Sequence, residues 1–578
     1  MKYILILVGM SCWHTCFSQK YDIKWLSGSY GFEQYTIDFS NISPNIKKLD
    51  NNNFAVTRTN LTMSDIRGEN TFFSNGCLIH PINTPDPISL INQGDYFCEL
   101  LLPVNAPHEI FALPIPDTEN KYIIFNYEIT RPAGQPPSTY NCYHKKALYH
   151  NVEINPDHSL VITVSDQILS QGCLQKAAAC KHANGRDWWI ILGDNLEPRF
   201  FRWLLTPNGL EVQDTQWIDN PTMGSDSTSG FTFIDAQIFS PNGSKVLLNT
   251  INRGLVIYNF DRCNGLLSNP IKFYEKDIYT SPAIFSPNSR YVYCADNKNS
   301  SIYQFDTDAS DISASKIEVG VWDGFSDPVY GYETKFEEMV NGYDGRTYIV
   351  AGGAYIHTIE YPNRAGLDCK VVQRAYETPS PTTFSIYYPN YRLGPIDGTT
   401  CDSLGIDNRP LAIFRYAVDD TLSPLVVHFT DASTYEPTQW QWNFGDGGTS
   451  SLTDPVHAFA APGTYTVCLI VSNAFASDTL CREVQVGTSG VTNMPVLPLV
   501  KVAPNPVVSM LQVALPAQIH GIMPRFRLTD VWGRLYREVP LRDFDTAVDM
   551  SSAAPGVYLW QVLWGTGVTQ SGRVVKVE

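Results

Sequence analysis

Between Trp25 and Asn390 hydrophobic positions alternate with polar ones in short runs, separated by clusters of Gly, Pro, Asn and Asp. A period of two, with almost no stretch at the helical period, predicts strands joined by tight turns, so this part of the chain is expected to be all-β. The segment FSPNGSKVLLNTINRGLVIYNFD from Phe239 returns as FSPNSRYVYCADNKNSSIYQFD from Phe285, with one deletion in the turn. In each copy Pro241 or Pro287 sets a turn, an alternating strand follows, and Asp261 or Asp306 opens the next loop. Weaker copies surround Gly68, Glu119, Gly185 and Gly345. With Gly243 and Ser289 these make six anchors. A further sheet closed between the two ends of the region gives seven, with six as the alternative. A strand near Tyr35 is expected to close the array against its last sheet and remove an open edge.

The spacing is that of four-stranded blades, and the two strong copies resemble seven-bladed WD-like and surface-layer propellers. The resemblance implies a β-propeller of six or seven blades over residues 19–400. The Gly-, Pro- and Asp-rich stretch 389–410 reads as the exit from it into a linker. Residues 408–487 show strands at the spacing of an immunoglobulin-like sandwich. Trp442, Phe444, Gly445, Asp446 and Gly447, then Pro455, His457, Phe459, Pro462, Gly463, Tyr465 and Val467, closely resemble the polycystic kidney disease (PKD) domain signature. After a linker at 488–499, residues 500–578 read as a small β-sandwich with turns at Asn-Pro, Gly and Pro-Gly. Pro504, Asn505, Pro506, Asp530, Gly533, Pro555, Gly556, Val557, Tyr558 and Lys576 resemble the C-terminal sorting domain of the type IX secretion system. That resemblance implies a Gram-negative cell, passage through its secretion machinery and a mature product ending in the linker.

Lys2, the apolar run from Tyr3 to Met10 and small residues to Ser18 form a secretory leader at 1–18, cut before Gln19. A lipid-modified Cys12 or Cys16 is the rival reading. No later segment has the run of about 18 apolar residues that a transmembrane helix needs. With 41 Lys and Arg against 58 Asp and Glu, a net charge of −17 and no basic run, nucleic acid and anionic membranes are excluded as partners. The remaining cysteines are odd in number, so at least one thiol is free, cryptic or paired outside the chain. They show no zinc spacing and read as structural. Two alternating strands about a turn at Ala474 and Phe475 place Cys468 opposite Cys481, which predicts a disulfide.

Motifs for nucleophilic, nucleotide or metal chemistry are missing, so no catalytic residue and no metal ligand is assigned, and no cofactor is expected. Asp306, Asp308 and Asp311 could ligate calcium through hard oxygens but lack the Gly and distal bidentate Glu of a helix-loop-helix calcium site, and they read as a solvated turn. Single histidines read as hydrogen-bonded structural residues. The small polar loop from Gly224 reads as flexible rather than nucleophilic. Twelve Trp and 31 Tyr suggest stacking platforms for sugars. Candidate ligand-binding residues are Trp188 and Trp189, adjacent in a strand so that only one is expected in the core, and Trp322, Tyr330 and Tyr332, with Tyr343 nearby. The reading is a secreted or surface-held protein of a Gram-negative cell, binding a polysaccharide or a protein without catalysis, with the PKD domain as spacer or accessory module. A propeller glycoside hydrolase or polysaccharide lyase, and a structural surface-layer component, are the alternatives.

Overall fold

The structure, a computed structural model, describes residues 20–27, 34–39, 44–49, 60–65, 67–81, 88–90, 110–130, 144–221, 234–250, 254–274, 283–296, 300–381, 388–418, 424–487, 501–514, 525–530, 534–541, 545–564 and 567–577. The leader, the linker, the loop from Gly224 and Gly533 lie outside them. The chain divides into two compact units, residues 1–325 with 334–487, and 326–333 with 488–578.

In the first unit seven antiparallel sheets follow one another among the described residues. Blade 1 holds Lys24–Ser27, Tyr35–Asp38 and Asn45–Lys48. Blades 2 to 7 have four strands each and begin at Leu61, Phe111, Ala178, Ile234, Ile284 and Met339. The sequence anchors fall in the first turn of each of these six blades, where Gly68, Gly185, Gly243, Ser289 and Gly345 all have positive φ. In blade 3 the bond that closes the turn is made by Thr118, one residue before the anchor Glu119. The repeated Phe-Ser-Pro-Asn has a local cause: Ser240 Oγ accepts from the Lys245 N–H at 2.9 Å, and Ser286 Oγ from the Tyr291 N–H at 2.9 Å.

Neighbouring blades bury apolar side chains between them, so both faces of a strand are covered. Trp25, Tyr35 and Phe39 of blade 1 share a core with Val340, Tyr348 and Ile356 of blade 7. On the other side the Leu26 N–H of blade 1 bonds Thr62 Oγ1 of blade 2 at 2.8 Å, and the ring is closed. The strand at Tyr35 meets blade 7 by this packing, and its described ladder partners are within blade 1. The expectation of a strand joined to the last sheet is corrected to that extent.

Residues 414–486 fold into two facing sheets. One is Phe414–Val418, Val426–Asp431 and Val456–Ala458; the other is Thr449–Ser450, Gln439–Asn443, Gly463–Ser472 and Ser477–Val486. Cys468 and Cys481 are register partners and are disulfide-bonded, as the hairpin arithmetic predicts. A further bridge joins Cys263 to Cys401, a pairing that the cysteine spacing does not choose. Cys180, Cys294 and Cys369 are buried thiols outside any disulfide, which meets the parity expectation.

In the second unit, Lys501–Ala503, Met510–Ala514 and Asp545–Asp549 form one sheet, and Leu535–Pro540, Arg525–Asp530, Gly556–Trp564 and Gly567–Lys576 the other. The motif residues hold its turns. Asn505 Oδ1 accepts from the Val575 N–H at 2.9 Å, Asp530 accepts from the Arg534 side chain at 2.7 Å, and Tyr558 Oη donates to the Ala554 carbonyl at 3.1 Å. Lys576 is buried and bridges to Val507.

Candidate functional site

The first turns of blades 2 to 7 share one end of the ring, as bonds between neighbours show. Arg186 meets Asp117 at 3.0 Å, and the Asn242 N–H reaches Ser289 Oγ at 2.9 Å. Residues 388–396, which overlap the stretch 389–410 expected as the exit from the propeller into a linker, cross this end. Tyr388 stacks on Trp25, with ring centroids 6.3 Å apart. Asn390 donates to the Pro241 carbonyl at 2.6 Å. Tyr391 lies between Tyr21 and Trp188, its hydroxyl on the Ala112 carbonyl at 2.7 Å. Arg392 pairs with Asp22 at 2.6 Å. The Ile396 N–H reaches the Ala183 carbonyl at 2.8 Å. Arg262 of blade 5, itself buried, donates to the carbonyls of Lys181, His182 and Gly394. Desolvation depresses its pKa, opposed in part by Cys180 and Glu436. Gly185 has φ +76°, and a Cβ there would lie 2.7 Å from Pro395, so the close approach itself requires glycine.

The PKD sandwich joins the same end. Arg415 of its first strand is buried, bonds the Glu360 carbonyl of blade 7 and lies 3.8 Å from the Glu360 carboxylate. Glu360 also receives Arg346 at 2.9 Å, and Arg346 meets Asp344 at 2.5 Å. Burial raises the Glu360 pKa, but Arg346 and its other donors outweigh it and hold the carboxyl below its ordinary range. Asn473 donates to the Asn408 carbonyl at 2.7 Å. The domain expected as a spacer is therefore fixed to the ring by buried, hydrogen-bonded charges rather than by a tether alone.

At the opposite end the connection after blade 6 carries Trp322, whose indole N–H donates to the Phe325 carbonyl at 3.2 Å. Lys335 sits 5.0 Å over the Trp322 ring, and Arg374 lies 4.4 Å over Phe325 while pairing with Asp323 at 2.6 Å. Residues 326–333 form their own turn, in which Asp327 accepts from the N–H groups of Val329 and Tyr330. Tyr330 is half-buried, and Tyr332 is 48% exposed. On blade 4, Trp217 is 61% exposed with Leu196 beside the same strand ends, and the Arg199 guanidinium lies 5.0 Å from Phe201 and 5.6 Å from Trp217. Asp194 and Glu197 orient that guanidinium at 2.8 and 3.0 Å.

Trp188 and Trp189 are corrected as ligand residues. They are 1% and 3% exposed, because blade 4 is covered on both faces. Trp188 packs on Tyr391, and the Trp189 indole donates to the Arg262 carbonyl at 2.8 Å. Tyr343 belongs to the sealed end, under Arg392. The predicted aromatics thus do not form one platform, and among the described residues Trp217, which no local pattern distinguishes, is the most exposed tryptophan.

Two histidines show what their neighbours require. His150 accepts from the Asp166 N–H at 3.2 Å and meets Asn126 at 2.9 Å; His357 accepts from the Arg374 N–H at 2.8 Å and meets the Thr334 carbonyl at 2.9 Å. Asp166 and Arg374 both have positive φ at a bulge in the outer strand, so the same device fills it in blades 3 and 7. Burial lowers both imidazoles to about 4. Asp306 is engaged by Arg290 at 2.8 Å and Asp308 by Lys245 at 3.0 Å, the pairing of a surface turn; among the described residues no group of three or more His, Cys, Asp or Glu side chains is placed to hold a metal.

In the PKD domain Trp442 is fully buried with its indole on the Leu452 carbonyl at 2.9 Å. Asp446 meets His457 at 2.8 Å, and the His457 ring stacks on Phe444 at 4.0 Å. Gly445 and Gly447 have positive φ. These motif residues are structural.

Residues 414–486 match the family model of the PKD domain, and the chain contains that domain. No curated protein matches the chain. The PKD1 domain of Vibrio anguillarum Epp is similar at 30% identity, over 14% of this chain and 95% of its own, with a TM-score of 0.13. A putative 6-phosphogluconolactonase from Bacteroides uniformis is 13% identical over 63% of this chain and 97% of its own, with a TM-score of 0.37. PorZ, a surface component of the type-IX secretion system of Porphyromonas gingivalis, is 10% identical over 94% of this chain and 73% of its own, with a TM-score of 0.26.

Proposed function

We propose that the chain is an exported surface protein that binds an extracellular polysaccharide or protein without transforming it. Its disulfides suit an oxidising compartment. In this reading residues 1–18 are the leader, and residues 500–578 are the sorting domain that engages type IX secretion machinery. The observation that carries the binding role is the crossing of one end of the ring by residues 388–396. With that end occupied and the PKD domain fixed beside it, the opposite end is where a partner docks, on Trp217, Arg199, Trp322 and the charged pair Arg374–Asp323. The test applies the purified full chain, with and without calcium, to immobilised neutral and acidic polysaccharides and matrix proteins, recording retention and soluble product. Retention with no product is expected. Release of reducing or unsaturated ends, or no retention on any member, overturns the reading.

A further inference from the structure

The PKD sandwich carries an open cleft of about 650 Å³ on its four-stranded sheet. Its floor is Gln439 and Gln441 with their register partners Ser472 and Ile470, and its wall is the segment from Thr449 to Leu452. The wall begins as a strand but pairs only at Trp442 with Ser450 and at Asn443 with Thr449. Leu452 is then held by the Trp442 indole, and residues 439–441 are left as a sheet edge facing the cleft. Backbone groups two residues apart point the same way. Since the Phe444 N–H bonds Gly448 and Trp442 faces Ser450, the N–H and C=O of Trp440 point into the cleft.

We infer that this edge is a docking site for an extended, uncharged polypeptide segment of a partner, added as a further strand. Three features favour that occupant. The free edge supplies backbone donors and acceptors, which a strand matches and a sugar does not. None of the described residues lining the cleft is charged in a chain of net charge −17, so the site suits a neutral segment, with Ile470 (36% exposed) and Leu452 (65% exposed) meeting its alternate apolar side chains. Trp440 also lines the cleft, but its ring packs against the sandwich core, so among the described residues no aromatic face is presented for a neutral glycan to stack on. The template is also pre-set, because the neighbouring strand Gly463–Ser472 is bridged to Ser477–Val486 through Cys468–Cys481. The site stands or falls independently of what the ring binds.

The probe is a blocked, uncharged heptapeptide of alternating valine and threonine, added to the full chain and followed by calorimetry and amide hydrogen exchange. Saturable binding with slowed exchange across 439–441 is expected. A peptide N-methylated at alternate amides binds at least tenfold more weakly, and so does the native peptide to Ile470→Lys. Gln485→Lys, exposed on the far strand, binds as the parent does and controls for folding. Unchanged exchange at 439–441, equal binding of the N-methylated peptide, or occupation of the cleft by a neutral hexasaccharide in its place overturns the proposal.

Discussion

Arg392 donates two hydrogen bonds to the Asp22 carboxylate, at 2.6 and 3.0 Å, across 370 residues of sequence. The pair ties the chain that leaves the last blade to the chain that enters the first. Arg392→Ala leaves a carboxylate buried without its partner and is expected to cost about 3–5 kcal/mol. Denaturant unfolding of the full chain checks it. Arg392→Lys, which keeps the charge but not the paired geometry, falls between the two.

Cys263–Cys401 closes a loop of 138 residues and pins the continuation of the crossing segment to blade 5. Cys401→Ser is expected to lower stability by about 2–5 kcal/mol, since long loops gain most from closure. Limited proteolysis should then cut first within 397–410. Unchanged digestion would show that Arg262 and Arg392 suffice.

Stability should fall as pH drops from 6.5 towards 4. His150 and His357 are neutral in the folded chain down to about 4, while the unfolded chain binds their protons from about 6.5. The unfolded state therefore takes up more protons in that window, and each histidine withdraws up to about 3 kcal/mol. Asp431 works the other way. Burial first, with Asp454 adding to it, raises its carboxyl to about 6, so protonation in the same window favours the folded state. The difference between parent and His357→Gln isolates the imidazole: its pH slope is smaller if the assignment holds.

Trp188→Ala and Trp217→Ala separate core from surface. The first is expected to cost about 3–5 kcal/mol through lost packing. The second should leave the melting temperature almost unchanged while weakening retention on the ligand that the panel identifies. Loss of stability in both would place Trp217 in the core instead.

Much of the fold is legible because its causes are local. The Ser-Pro-Asn turns at Ser240 and Ser286 are made by side chains within five residues, and Cys468–Cys481 follows from hairpin symmetry. The alternation rule expects only one of Trp188 and Trp189 in the core because it assumes that one face of a strand meets water, whereas a blade is covered twice and both are buried. The sealed end was illegible for another reason. Tyr391, Arg392 and Asp22 meet only after seven sheets have closed, and a Gly- and Pro-rich stretch reads as a linker wherever it goes. Cys263–Cys401 is a long-range pairing that spacing cannot choose. Trp217 sits at a strand end whose exposure depends on its neighbours, so nothing in its own segment marked it.

In the proposed function one end of the ring is occupied by the chain itself and the other end binds the partner. Hydrogen exchange of the full chain, with and without a retained polysaccharide or protein, tests it most directly. New protection is expected at 194–199, at Trp217 and at 322–325, with residues 388–396 protected equally in both states. New protection confined to 388–396 and the first turns, with 322–325 and Trp217 unchanged, would contradict it.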